Sequence, residues 1–339
     1  MDRTKLAQTA SQIVAPGKGI LAADESTSTM GKRLKSIGVE NTEQNRIGFR
    51  GNMFTADGWE KHVSGVILYD ETLRQSVEGT PVPKLLAKHG VIPGIKVDKG
   101  SKPLAHAEGE EVTEGLDGLR ERLAEYATLG ARFAKWRAVI NIGKDVPSRY
   151  CIKANAHALG RYAALCQEAG IVPIVEPEVM MDGAHDIHRS FEVTDAVQHA
   201  VFHELHRQRV FLPGILLKPN MVVQGYASGN RQNAQHTAEL TLACLRRNVP
   251  ADVPGVVFLS GGLSDEDATE FLDAMNKAPG PKPWALSFSY GRALQQSALK
   301  AWGGKTENKA AMQNELLKRA RLNGLAAQGK YSRDLEKSA

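Results

Sequence analysis

Two short segments carry charges at alternate positions: Lys135 and Arg137 in FAKWR, and Glu176 and Glu178 in VEPEV. Alternate residues of a β-strand share a face. If both segments are strands, one face therefore holds two cations and another two carboxylates. Burying such faces is costly unless the charges pair, so the plain outcome is a structural ion-pair layer and the functional one a reactive site. Two further lysines end apolar runs: Lys96 follows VIPGI, and Lys218 follows GILL and precedes Pro219, which stops the strand. A lysine taken out of water and crowded by other cations is partly neutral. The neutral amine is the form that attacks a carbonyl to give an imine. Lys96, Lys135 and Lys218 are equivalent candidates on this ground. Imine formation also needs an acid to expel water and a base to move protons afterwards, and Glu176, Glu178 and Asp24 are the available carboxylates.

Asp24 ends ILAAD and leads into the hydroxyl cluster ESTST, with Lys32 and Arg33 just beyond. Ser26 and Thr29 could cap the following helix, although capping needs only one hydroxyl. Two glycine loops, LSGG (259–262) and SYGRALQ (289–295), suit an anion. Glycines let backbone N–H groups approach a phosphate, and a helix opening at Arg292 points its positive end the same way. Ser260, Gly261, Gly262, Ser289, Tyr290, Gly291 and Arg292 are the candidates there. A metal centre is the competing chemistry, because His199, His203 and His206 in HAVFHELH fall on one helix face. That segment is not H-E-x-x-H, and only the loop histidines His185 and His188 accompany it. A surface stripe is the simpler account, and no metal or cofactor is expected.

These groups meet only if the chain folds so that scattered strand ends converge. Eight apolar or β-branched runs recur: 19–24, 64–70, 91–98, 130–142, 172–179, 214–222, 255–262 and 283–291. Segments with helical spacing lie between most of them, at 118–129, 157–169, 193–209, 234–247 and 265–276. Near-continuous apolar strands separated by helices predict a parallel sheet covered on both faces, and eight units predict an α/β fold closed into a single (β/α)8 TIM barrel. An open doubly wound sheet is the alternative. The barrel is preferred because Asp24, Lys96, Lys135, Glu176, Lys218, Ser260 and Ser289 all stand near the carboxyl end of a run, and a barrel gathers those ends at one mouth. One domain over 1–328 is expected, opening with a helix stopped by Pro16 and Gly17, followed by a mobile tail over 329–339.

Composition narrows the class of partner. The chain has 339 residues, ordinary apolar and charged fractions, and a formal charge of +5. Basic residues are scattered instead of interleaved with aromatics, which favours small phosphorylated ligands over nucleic acid. No run approaches the roughly 20 apolar residues of a membrane span. Three cysteines, Cys151, Cys166 and Cys244, form no C-x-x-C pair. A reducing cytoplasm is the expected location.

Taken in order, GKGILAADEST, GIKVDKG, GARFAKWR, VPIVEPEV, LLKPNMV, GVVFLSGG and SFSYGRALQ resemble the motif series of class I fructose-1,6-bisphosphate aldolases, over about residues 6–331. The resemblance implies a metal-free (β/α)8 enzyme of glycolysis, gluconeogenesis or carbon fixation, commonly a homotetramer acting on sugar phosphates. It implies that Lys218 is the Schiff-base nucleophile and Lys135 the assisting lysine. Glu176 becomes the acid/base group of imine formation, Glu178 the neighbour that orients and polarises the lysines, and Asp24 the aspartate that helps position lysine and substrate during carbon–carbon cleavage. Ser260, Gly261, Gly291 and Arg292, bordered by Ser289 and Tyr290, match the site for the phosphate nearest the carbonyl. Ser26, Thr29, Arg33 and Lys96 match the region for the distal phosphate, and Arg137 a substrate-side arginine. Many eukaryotic relatives end in a tyrosine on a flexible tail that helps move a proton at the carbon beside the imine; the last tyrosine here is Tyr331, so that residue or a solvent molecule substitutes, or the proton step is slower.

Overall fold

In the computed structural model, which describes residues 1–229 and 233–337, the apolar runs form eight parallel strands. They are β1 (Gly19–Ala23), β2 (Val63–Leu68), β3 (Ile92–Lys96), β4 (Phe133–Ile140), β5 (Val172–Val179), β6 (Leu216–Leu217), β7 (Gly255–Phe258) and β8 (Ala285–Tyr290). Each pairs with its sequence neighbours and β8 closes on β1, giving a barrel. The helices are α1 (Arg3–Ile13), α2 (Thr27–Lys35), α3 (Glu43–Phe54), α4 (Asp70–Arg74), α5 (Val82–Lys88), α6 (Leu119–Thr128), α7 (Arg149–Glu168), α8 (Ile187–Arg207), α9 (Ala234–Asn248), α10 (Asp265–Lys277), α11 (Arg292–Trp302) and α12 (Lys309–Ala326). Helices α7 and α8 start several residues before the apolar periodicity does, at the caps Ser148 and Asp186, whose side chains accept from backbone N–H groups three residues on. Two short hairpins, Ser76–Val77 with Thr80–Pro81 and Ser101–Pro103 with Glu111–Thr113, were not legible as strands because each arm is only two or three residues long.

The strands are buried on both faces, and the core divides accordingly. One apolar layer fills the space between sheet and helices. The other fills the barrel, where Ile20, Phe133, Ile174 and Leu216 meet Leu6, Ala10 and Ile13 of α1. Helix α1 thus stops the amino-terminal end of the barrel, fastened by a hydrogen bond from the Ser64 hydroxyl to the Ile13 carbonyl. With the floor closed by apolar side chains, polar groups facing inward can meet water only at the carboxyl end.

The segment after Gly329, expected to be mobile, is fastened as far as Lys337; residues 338–339 lie outside the described residues. Tyr331 is buried, its N–H donating to Asp273 Oδ1 at 2.9 Å and its hydroxyl to Glu336 Oε1 at 2.9 Å. Arg319 of α12 grips Glu336 at 2.7 and 2.8 Å, while Arg333 pairs with Asp267 and Glu270 of α10. Partnered charges hold the segment, a signal that composition alone does not carry. Tyr331 sits in this outer helical layer and does not line the mouth.

Packing in the floor is tight. A methyl group on Gly94 would lie 2.3 Å from carbons of the Phe133 ring, inside van der Waals contact. Gly94→Ala is expected to destabilise the protein by about 1–3 kcal/mol, as overpacking of a filled core does, and a lower urea midpoint for the variant is the measurement.

Candidate active site

At the carboxyl ends of the strands lies a cavity of about 740 Å³. Asp24, just beyond β1, Lys135 on β4, Glu176 on β5 and Lys218, just beyond β6, meet in it as a chain of alternating charge. Lys135 Nζ is 2.7 Å from Asp24 Oδ2 and 3.4 Å from Glu176 Oε2, and Lys218 Nζ is 3.2 Å from Glu176 Oε1. All four side chains are about nine-tenths buried or more. The contact from Lys135 to Glu176 lacks hydrogen-bond geometry, which leaves Glu176 Oε2 with an unused acceptor position. Burial alone would push the Asp24 carboxyl up, yet Lys135 and Lys218 outweigh it and hold Asp24 down at about 2. Burial alone would likewise pull the Lys135 ammonium down, but Asp24, Glu176 and Asp98 raise it well above an ordinary lysine. Lys135 is thus held charged, opposite to what crowding by cations alone predicts, because the nearest groups are carboxylates.

The three lysines are no longer equivalent. Lys135 contacts two carboxylates, and Lys96, at the end of β3, pairs with Asp98 at 2.7 Å. Lys218 shares one carboxylate, that of Glu176, and among the described residues has no other ion pair. Strand register explains the rest: Arg137 lies opposite Glu176, and Val139 opposite Glu178. Glu176 is taken by the lysines, so Arg137 reaches one position further and its Nε donates to Glu178 Oε2. Glu178 therefore orients Arg137 instead of either lysine, a correction to the expected role.

Two glycine loops complete the rim. Ser260 and Gly261 follow β7; Gly291 and Arg292 follow β8, where α11 begins with no side chain capping its N–H groups. The Arg292 guanidinium donates to the Gly261 carbonyl, tying the loops together. Ser289 points into the mouth, and its buried hydroxyl has no partner among the described residues. On the other side Ser26, Thr29, Arg33, Lys96 and Arg137 line the opening. Ser26 does cap α2, accepting from the Thr29 N–H at 3.3 Å, and its hydroxyl also touches those of Ser28 and Thr29 at 3.1 Å. Capping and lining are therefore compatible there. His199, His203 and His206 are exposed on α8, outside the barrel, and no group of three or more potential metal ligands occurs among the described residues.

The family model of class-I fructose-bisphosphate aldolase matches residues 5–339. A probable fructose-bisphosphate aldolase class 1 of Xanthomonas campestris is 56% identical over 98% of this chain and 99% of its own. The chain belongs to the class-I fructose-bisphosphate aldolase family. A fructose-bisphosphate aldolase of Drosophila melanogaster is also 56% identical, over 96% of this chain and 91% of its own. The solved fructose-bisphosphate aldolase of Plasmodium falciparum, in complex with TRAP and a small-molecule inhibitor, superposes with a TM-score of 0.95 at 50% identity, covering 97% of this chain and 96% of its own.

Two residues assigned to the rim of this aldolase lie elsewhere. Tyr290 alternates with Ser289 on β8, so its ring faces the helix layer and its hydroxyl donates to the Ala268 carbonyl at 2.8 Å. Gly262 is exposed beside Tyr226, where an added methyl group would come within 2.6 Å of that ring, and it does not line the cavity. Conversely, four polar side chains near the mouth escaped the sequence reading. Glu25, next to Asp24, accepts from Arg33 and Gln295, and the buried Arg50 donates to its backbone carbonyl at 2.7 Å. Asp98 stands two residues after Lys96, the same spacing that drew attention to Lys135 with Arg137, and could have been found by it. Arg50, inside an ordinary helix, carries no such signal.

Because the folded-state value of Asp24 lies below that of a free carboxyl, its ionised form contributes stability above about pH 4, and that contribution is lost as pH falls toward 2. Asp24→Asn is expected to lower stability at neutral pH by something on the order of 2 kcal/mol. The gap to the unmodified protein should close as the pH drops from 4, and urea unfolding over a pH series reads both.

Proposed function

We propose that this aldolase reversibly cleaves fructose 1,6-bisphosphate into dihydroxyacetone phosphate and glyceraldehyde 3-phosphate through an imine on Lys218. The observation that carries the choice of lysine is the sharing of Glu176 between Lys218 and a Lys135 held charged by a second carboxylate. An amine held protonated by neighbouring carboxylates is a poor nucleophile, which argues against Lys135, and Lys96 is committed to Asp98 at the edge of the mouth.

In this reading the Lys218 amine adds to the substrate ketone, and Glu176, in reach of both amines, passes a proton to the carbinolamine hydroxyl, which leaves as water. The resulting iminium withdraws electrons. A base, for which the Asp24 carboxylate beside Lys135 is available, takes the proton of the hydroxyl beyond the central bond; that bond breaks, its electron pair forms the enamine, and the aldehyde departs. Protonation and hydrolysis of the enamine release the ketone product. Lys135 supplies fixed positive charge beside the intermediates. Ser260, Gly261, Ser289, Gly291 and Arg292 hold the phosphate nearest the ketone, and Ser26, Thr29, Arg33, Lys96 and Arg137 serve the distal one. Two anchored phosphates fix the reacting carbon against Lys218.

The same reading makes residues 1–328 one catalytic domain that works on sugar phosphates in the cytoplasm as a homo-oligomer, a tetramer on family resemblance, with no metal or organic cofactor. Borohydride reduction in the presence of dihydroxyacetone phosphate is expected to tag Lys218 in peptide maps. Lys218→Ala should lower kcat by more than about a thousandfold, and chelator should leave the rate unchanged. A tag on another lysine, or a variant that retains its rate, rules the mechanism out.

A further inference from the structure

The carboxylate of Asp98 makes more contacts than pairing with Lys96 requires. Its side chain is 3% exposed, and Oδ1 lies 2.7 Å from Lys96 Nζ while accepting the Gly100 N–H at 3.1 Å. Oδ2 accepts the N–H of Arg137 at 3.2 Å. The Asp98 backbone carbonyl adds a second contact to Lys96 Nζ, at 2.8 Å.

These contacts sit where β3 and β4 part. The last paired residues of the two strands are Lys96 and Lys135, and the Val97 N–H still reaches the Lys135 carbonyl at 3.0 Å. Beyond that the ladder has no backbone partner for the Arg137 N–H, and the Asp98 side chain takes its place. From the other side Arg122 of α6 donates to the Val97 and Gly115 carbonyls at 2.9 and 2.6 Å, so the turn carrying Asp98 is braced at both ends. The charged groups facing Asp98 are Lys96, Lys135 and Arg137, all of them cations that line the mouth. A capping residue for a turn would need one acceptor. A carboxylate that bonds an ammonium, the strand bearing two other cations and its own turn fixes three positive groups relative to one another.

We propose that Asp98 is a positioning residue for this reaction: by fastening Lys96 to β4 at Arg137 it sets the cationic side of the mouth for the phosphate remote from the imine. The inference rests on the proposed function, which gives Lys96 that phosphate. Asp98 acts through Lys96, with the Arg137 N–H as its anchor on β4, and touches no reacting atom. A flexible lysine ammonium has many rotamers, and holding it in one costs entropy that Asp98 meets before the substrate arrives.

The test compares Asp98→Asn, which keeps the shape and removes the charge, with Lys96→Met and the double variant, on fructose 1,6-bisphosphate and on fructose 1-phosphate, which lacks the distal phosphate. For Asp98→Asn the expected result is a fall in kcat/KM of about tenfold or more with the bisphosphate, carried mainly by KM, as loss of a charge-assisted contact implies. With fructose 1-phosphate the change should stay within about threefold. The double variant should fall no further than Lys96→Met alone. Equal losses on both substrates, unchanged kinetics, or a double variant whose loss is the product of the single losses overturns the proposal. Borohydride trapping of the unmodified protein runs alongside; failure to tag Lys218 would refute the imine mechanism itself, whatever the two substrates show about Asp98.

Discussion

Four buried charges of alternating sign, Asp24, Lys135, Glu176 and Lys218, constrain everything around them. None could be left alone at this depth, since an unpaired ion out of water costs several kcal/mol. Each is contributed by a different strand or strand end, and Asp24 lies across the ring from the other three. Only a closed barrel brings β1 within 2.7 Å of a residue on β4; an open sheet with the same strands in the same order would keep them apart. Closure is therefore what makes the charges affordable, and the charges in turn reward the register that closure requires.

The rest of the mouth is arranged around what the charge chain leaves unused. Glu176 Oε2 keeps an acceptor position, Ser289 an unpartnered hydroxyl, and α11 an uncapped start. Elsewhere the donors are committed: Arg33 and Gln295 to Glu25, Lys96 to Asp98, Arg292 to Gly261. The open groups lie beside the nucleophile and at the start of α11, while the committed cations Arg33 and Lys96 line the other side of the mouth. A polar site built this way meets its ligand with few internal bonds to break at the reacting centre.

Much of this was legible in the sequence because it depends on periods of two. Lys135 with Arg137 and Glu176 with Glu178 announce inward faces, and the recurrence of polar ends after apolar runs announces the barrel. The same period of two separates residues that are close in the chain. Tyr290 was grouped with Ser289 by proximity in the chain, although adjacent strand residues face opposite ways, and Asp98 was passed over although it shares the face of Lys96. The pairing of Glu178 with Arg137 depends on the offset between β4 and β5, which neither strand encodes alone. Arg50 and the fastened segment around Glu336 depend on tertiary neighbours that single-residue types cannot reveal.

Inside β4, Lys135, Arg137 and Val139 face the mouth while Trp136 and Ala138 pack outward. An evolving gene can lengthen the loops or helices between strands and leave that alternation alone. Loss or gain of one codon between Phe133 and Lys135, with the start of the strand held in place, would turn the tryptophan into the barrel and both cations into the apolar helix layer at once. The pleat thus tolerates exchanges of one residue for another within the strand and changes of length outside it, and its reading frame constrains the gene as firmly as the lysine it presents.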